Sequence, residues 1–255
     1  MKRILVVSGS RADYGLLEWP VKKLMEDGSF SVGLRKIWGQ SFAEASTIDF
    51  DHADLVLLLG DRFEILAAAT AAHLQRIPIA HIGGGDVTEG SYDDAMRDSI
   101  SRFATIHFVT STSAMARLSH MGYRNVHLVG NPGIDYIRNA PWRQERPIAE
   151  PYVVISYQAE TNREQTEGEI AWIFSRIPKD IHKVIIRPNP DRGSDVINKI
   201  IDGYKDVGET IYDFLPHDEF LNLLAHFRRF NGNSSAMLNE APEIGIETKM
   251  IGTRQ

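Results

Sequence analysis

Short, uninterrupted apolar runs recur along the first half of the chain: ILVVS (4–8), LVLLLG (55–60), IPIAHI (77–82), IHFVT (106–110) and VHLVG (126–130). Stretches of helical periodicity follow them, as in FEILAAATAAHL (63–74) and STSAMARLSHM (111–121). A strand that is apolar at every position needs cover on both faces. The alternation therefore predicts a parallel sheet between two layers of helices.

The pattern breaks at NAPWRQERPIAEP (139–151), which has three prolines, several charges and no periodicity. It then resumes with YVVISY (152–157), a helix near 163–176, HKVIIRP (182–188), a helix near 194–203, ETIYDFL (209–215), a helical FLNLLAHF (220–227) and a last strand in ETKMIG (247–252). We expect an α/β protein of two Rossmann-like parallel-sheet domains, residues 1–138 and 152–255, joined by a linker at 139–151, with a ligand cleft between them. FSVGL is followed by RKIWGQSFAEAS, where a fuller helix–strand unit would fit, and the chain stops at IGTRQ just after a strand. Further native chain is expected at both points.

Composition narrows the function. The net charge is -6 and Lys and Arg form no basic face, which argues against nucleic acid. The Arg228–Arg229 pair reads as a solvated helix end. No apolar run approaches the length of a bilayer span, and no signal peptide is visible. With no cysteine there is no disulfide framework and no thiolate nucleophile or ligand. The nine histidines are scattered and no H-E-x-x-H occurs, so no metal is expected. A cytoplasmic location fits these features.

In parallel sheets ligands sit at the carboxyl ends of the strands, and four such ends stand out. SGSRADYGLL (8–17) offers Gly9 and a helix start, where Arg11 can fork onto a phosphate. In LGDRFE (59–64) Asp61 closes the most apolar strand; it is either a helix N-cap or a reactive acid. IAHIGGGDVTEGSYDDAMRDS (79–99) places Asp86 just beyond three glycines, with Asp94 and Arg97 spaced i, i+3. Asp61 and Asp86 leave neighbouring strands, and two carboxylates on one cleft can hold different pKa values and divide acid and base roles. FNGNSSAMLNEAPEIG (230–245) puts Gly232, Asn233, Ser234 and Ser235 at a helix start, suited to a second phosphate, with Glu240 further along in reach of ribose hydroxyls.

The runs GSRADYGLL, LGDRFEILAAA, IPIAHI-GG-D-VTEG-DD-R, HFVTS, VGNPGID, PNPDRGS and GNSS-EAP-G-IG-RQ occur in order from residue 9 to the end. Together they resemble the UDP-N-acetylglucosamine 2-epimerase family over nearly the whole chain. DVTEG (86–90) and PNPDRGS (188–194) favour its hydrolysing branch. The resemblance implies a glycosyltransferase-B-like fold, a UDP-sugar substrate and no cofactor. It also implies a homodimer and a place in sialic-acid-type sugar synthesis. It implies catalytic roles for Asp61, Asp86 and Asp94. It further implies substrate contacts from Gly9, Arg11, Arg97, Gln158, Asn233, Ser234, Ser235 and Glu240, and structural roles for Glu89, Asp93 and Asp98. The chain departs from the family's usual pattern in having Gly83, Asp98 and Gln158 where His is usual, and Asp86 where Glu is usual.

Overall fold

The computed structural model describes residues 1–177, 179–205, 207–227 and 229–252. Arg228, Arg254 and Gln255, cited above, lie outside them. The chain divides into two compact units. Met1–Val87 and Asp93–Arg138 form the first; Thr88–Tyr92 and the chain from Asn139 on form the second.

The first unit holds a six-stranded sheet made of β1 (Lys2–Ser8), β2 (Phe30–Lys36), β3 (Leu55–Leu59), β4 (Ile79–Ile82), β5 (Ile106–Val109) and β6 (Val126–Leu128). Every pairing is parallel, in the order β2-β1-β3-β4-β5-β6. Its helices are α1 (Arg11–Asp27), α2 (Phe42–Ala45), α3 (Phe63–Leu74), α4 (Asp94–Phe103), α5 (Thr112–His120) and α6 (Pro132–Asn139). β3 shows why the strands carry no polar alternation. Val56 and Leu58 enter the core that α3 and α4 cover, whereas Leu57 and Leu59 enter the opposite core with Leu17 of α1. Successive side chains point to opposite faces, so burial on both faces demands an apolar residue at each step.

The second unit repeats the scheme with β7 (Tyr152–Ser156), β8 (His182–Ile186), β9 (Thr210–Tyr212), β10 (Phe230–Gly232) and β11 (Thr248–Met250), in the order β11-β10-β7-β8-β9, again parallel throughout. Its helices are α7 (Glu167–Ser175), α8 (Ser194–Lys205), α9 (His217–Ala225) and α10 (Glu240–Ile244). Tyr152 and Val154 pack on one face of β7, Val153 and Ile155 on the other. Arg229, part of the expected helix end, instead pairs with Glu247 across the approaches to β10 and β11. Among the described residues no helix is long and apolar enough to cross a membrane.

The topology fixes where ligands can bind. In each sheet the winding reverses once, between β1 and β3 in the first unit and between β7 and β10 in the second. Loops leaving the two strands at such a reversal run to opposite faces and open a crevice at the strands' carboxyl ends. At the second reversal the strands nearly touch. Gly232 has φ 152°, and a Cβ there would lie 1.8 Å from the Ser156 carbonyl oxygen. Gly232→Ala is therefore expected to cost more than about 3 kcal/mol, through backbone strain and lost β7–β10 pairing. Urea unfolding measures this, and an unchanged midpoint would contradict the close approach.

Candidate active site

The loop after β1 is the first wall of the reversal in the first unit. Ser10 caps α1 by accepting the Asp13 N–H at 3.1 Å. Ser8 Oγ donates to the Ser10 carbonyl at 2.8 Å and accepts from Trp38 Nε1 at 3.0 Å. Gly9 is buried in this turn; Arg11 is exposed, its guanidinium 6.0 Å from the centre of the Trp38 ring. The fixed turn thus presents a helix N-terminus of 17 residues with a cation beside it, a geometry that suits an anion.

The loop after β3 is the other wall. The N-cap of α3 is Arg62, and it makes no side-chain cap, so Asp61 has no capping duty. Its carboxylate instead meets Arg97 of α4. The same guanidinium pairs with Asp94, one helical turn away, and donates to the Asp86 carbonyl at 2.7 Å. Two carboxylates singled out in the sequence, Asp61 after β3 and Asp94 on α4, converge with the Asp86 main-chain carbonyl on one arginine that is 6% exposed. The i, i+3 spacing of Asp94 and Arg97 thus ends in an ion pair, and the same guanidinium holds Asp61.

The Asp86 carboxyl is raised above its usual pKa, mainly by burial. Thr110 and Arg97 pull it down, and the charges of Asp61 and Asp94 push it up. Thr110 Oγ1 lies 2.8 Å and 2.9 Å from the two Asp86 carboxylate oxygens.

Sequence reasoning left His81 without a role. It is fully buried on β4, and burial holds its pKa down at about 4. The neutral ring donates from Nε2 to the Gly60 carbonyl at 2.8 Å, so Nδ1 accepts from Ser101 Oγ at 2.9 Å. It fixes the residue just before Asp61. Asp13, in the turn after β1, was also passed over. Burial pushes it up to about 6, and among the described residues its Oδ2 has no hydrogen-bond partner.

The expected structural acids are held as follows. Asp98 accepts from Arg117 at 2.8 Å, and Asp93 precedes α4 at its N-cap without a capping bond. Glu89, in the segment that belongs to the second unit, accepts the Asn162 side-chain N–H on its carbonyl at 3.0 Å.

In the second unit the reversal brings Gln158 and Asn233 together. Asn233 Oδ1 accepts the Gln158 N–H at 2.6 Å, and its Nδ2 donates to the Gln158 carbonyl at 2.9 Å. The Gln158 side-chain oxygen accepts the Asn189 N–H at 2.9 Å. Gln158 therefore ties the loop after β7 to those after β8 and β10.

The expected helix start at Asn233–Ser235 is different in form. Ser235–Met237 is a single 3-10 turn capped by Ser234, too short to carry a helix dipole, and the helix proper begins at Glu240. Pro242 explains the break, since it has no N–H to continue a helix from Ser235. Ser235 is exposed and Ser234 partly so. Glu240 is not a surface residue. It is 7% exposed, burial pushes it up to about 6, and among the described residues its Oε2 has no hydrogen-bond partner. Among the described residues no group of three or more His, Cys, Asp or Glu is placed to hold a metal ion.

Known proteins are similar to this chain in sequence and in fold. The family profile described as UDP-N-acetylglucosamine 2-epimerase matches residues 28–255. A UDP-N-acetylglucosamine 2-epimerase of Neisseria meningitidis is 26% identical, with 100% of this chain and 81% of that protein aligned. A UDP-N,N'-diacetylbacillosamine 2-epimerase (hydrolyzing) of Legionella pneumophila is also 26% identical, over 100% of this chain and 82% of the other. Among solved structures, S. aureus MnaA with UDP superposes with a TM-score of 0.80 at 17% identity, covering 97% of this chain and 79% of that one. N. meningitidis UDP-GlcNAc 2-epimerase bound to UDP-GlcNAc gives 0.75 at 16% identity, covering 97% and 82%. At these identities the structural likeness establishes the fold.

Proposed function

The chain belongs to the UDP-N-acetylglucosamine 2-epimerase family, and from that premise we propose that it is a hydrolysing 2-epimerase acting on UDP-GlcNAc or a UDP-diacetamido sugar. The observation that carries the reading is the convergence of Asp61, Asp94 and the Asp86 loop on Arg97. The hydrolysing branch is favoured by DVTEG and PNPDRGS, and by the hydrolysing relative from Legionella.

The chemistry needs a proton removed from and returned to carbon 2, and the UDP oxygen exchanged for water at carbon 1. A carboxylate removes the proton from carbon 2. Its electron pair forms the carbon 1–carbon 2 double bond as the bond from carbon 1 to the UDP oxygen breaks. Water then gives its oxygen to carbon 1 of this glycal, and carbon 2 takes a proton on the opposite face. UDP and a free N-acetylmannosamine-type sugar result. The carbon 2 proton is weakly acidic, so a positioned base is required, and Asp61, Asp86 and Asp94 are the acids for these steps. The departing diphosphate needs cations and N–H donors, a role for Gly9, Arg11, Asn233, Ser234 and Ser235. Glu240 accepts from the ribose hydroxyls, and Gln158 lines the loop beside Asn233.

An NMR time course in deuterated water with UDP-GlcNAc, and then with a UDP-diacetamido sugar, tests this. We expect UDP together with free sugar of the manno configuration, carrying deuterium at carbon 2. UDP-ManNAc without free sugar would assign the chain to the non-hydrolysing kind. No turnover of either substrate would reject the epimerase reading.

A further inference from the structure

Asp86 follows three successive glycines, the least restrained backbone a chain can have. Its aim must be set from outside its own loop. Two residues with no role in the reaction so far do this. Thr110, at the exit of β5, shares its hydroxyl proton between both carboxylate oxygens, at 2.8 Å and 2.9 Å. Arg117 of α5 donates from Nη1 to the Asp86 carbonyl at 3.1 Å, the oxygen that Arg97 also holds. Arg117 is itself pinned by Asp98 of α4, through Nη2 at 2.8 Å.

α5 reaches this loop only because residue 85 is glycine. A Cβ there would lie 2.6 Å from the Ala114 carbonyl oxygen.

We propose that Thr110 and Arg117 are positioning residues for Asp86, the hydroxyl fixing the carboxylate and the Asp98-anchored guanidinium fixing the main chain behind it. The inference rests on the acid–base role given to Asp86 above. The two residues act differently. Thr110 favours the charged carboxylate, against burial and the neighbouring charges of Asp61 and Asp94 and in company with Arg97. Arg117 meets Asp86 only at its main-chain carbonyl and contributes position.

The Asp86 carboxyl can be followed by carbon-13 NMR during a pH titration, its signal identified by its loss in Asp86→Asn. Thr110→Val should raise the titration midpoint by roughly one pH unit, because the lost hydrogen bond favoured the charged form. Thr110→Ser should restore it. Arg117→Gln should shift the midpoint less than Thr110→Val does. It should lower kcat by roughly tenfold to a hundredfold with KM little changed, as misplacement of a reacting group does. Asp98→Asn should give a weaker version of the same kcat loss.

An unmoved midpoint in Thr110→Val, or an unchanged kcat in Arg117→Gln, overturns the proposal. The titration needs no substrate. A parent protein that turns over no UDP-sugar, yet shows the Thr110→Val shift and its rescue, would keep the clamp and reject the reaction.

Discussion

Asp61→Asn is expected to lower turnover by roughly a thousandfold, the scale of losing a general acid or base, while UDP affinity stays within a factor of about three. The amide fills the same space and still accepts a hydrogen bond from Arg97, but it cannot take a proton at neutral pH. The fold should survive. Asp94 still pairs with Arg97, and the Asp86 carbonyl still accepts from it, so the buried guanidinium keeps an anionic partner. UDP recognition is assigned elsewhere, to the turn after β1 and the loops after β7 and β10. Steady-state kinetics paired with UDP titration calorimetry separates the two effects. Equal turnover in the variant would remove Asp61 from the mechanism. A parallel loss of UDP affinity would make it a binding residue.

The same geometry explains why Arg97 is the more dangerous position to change. Removing it leaves Asp61 and Asp94 facing each other with no cation between them, and like charges at close range raise each other's pKa. An Asp61 variant removes one proton-transfer group; an Arg97 variant changes the charge state of the whole set. The cleaner test of chemistry is therefore at Asp61.

Where the sequence was legible, burial made it so. α3 spans Phe63–Leu74, the residues that the run FEILAAATAAHL marks out, because seven of its side chains are buried and few polar residues blur its ends. The strands were readable for the same reason. Asp61 and Asp86 were visible as the first acids beyond such strands, after one glycine and after three. The loop after β10 was misread because Asn, Ser and Ser look alike whether they open a helix or a 3-10 turn. The deciding residue, Pro242, lies several positions further on. Thr110 and Arg117 were not legible at all. Their partner Asp86 is 24 and 31 residues away, and although Thr110 stands in the run HFVTS, nothing in that run points to Asp86. Only the register of β4 against β5 and the packing of α5 bring them to it. Glu240 stands out in the sequence as an acid beyond Asn233–Ser235, yet its burial could not be read from NEAPEIG, which looks like an exposed helix start.

That burial makes Glu240→Gln the second large effect, with two consequences of opposite sign. The folded carboxyl has its pKa pushed up to about 6 from 4.5, chiefly by burial, with its own main-chain N–H offsetting part of this. A carboxyl raised in the fold contributes most below its unfolded pKa, and that contribution is lost as pH rises through the folded value. Above about pH 6 the empty protein therefore holds a buried carboxylate whose Oε2 has no partner among the described residues. The shift corresponds to about 2 kcal/mol. Between pH 4 and pH 8 the stability of Glu240→Gln relative to the parent should rise by that amount, as read from urea midpoints at the two pH values. UDP should respond the other way. Two ribose hydroxyls donating to a carboxylate make charge-assisted bonds that an amide matches poorly, so UDP affinity should fall roughly tenfold to a hundredfold at pH 8. A residue kept for stability would lose stability when replaced. A gain in stability at high pH together with a loss of UDP affinity is the signature of a group held in an unfavourable state for its ligand. If the variant is less stable than the parent at pH 8 and binds UDP equally well, Glu240 is a core residue and the ribose assignment falls.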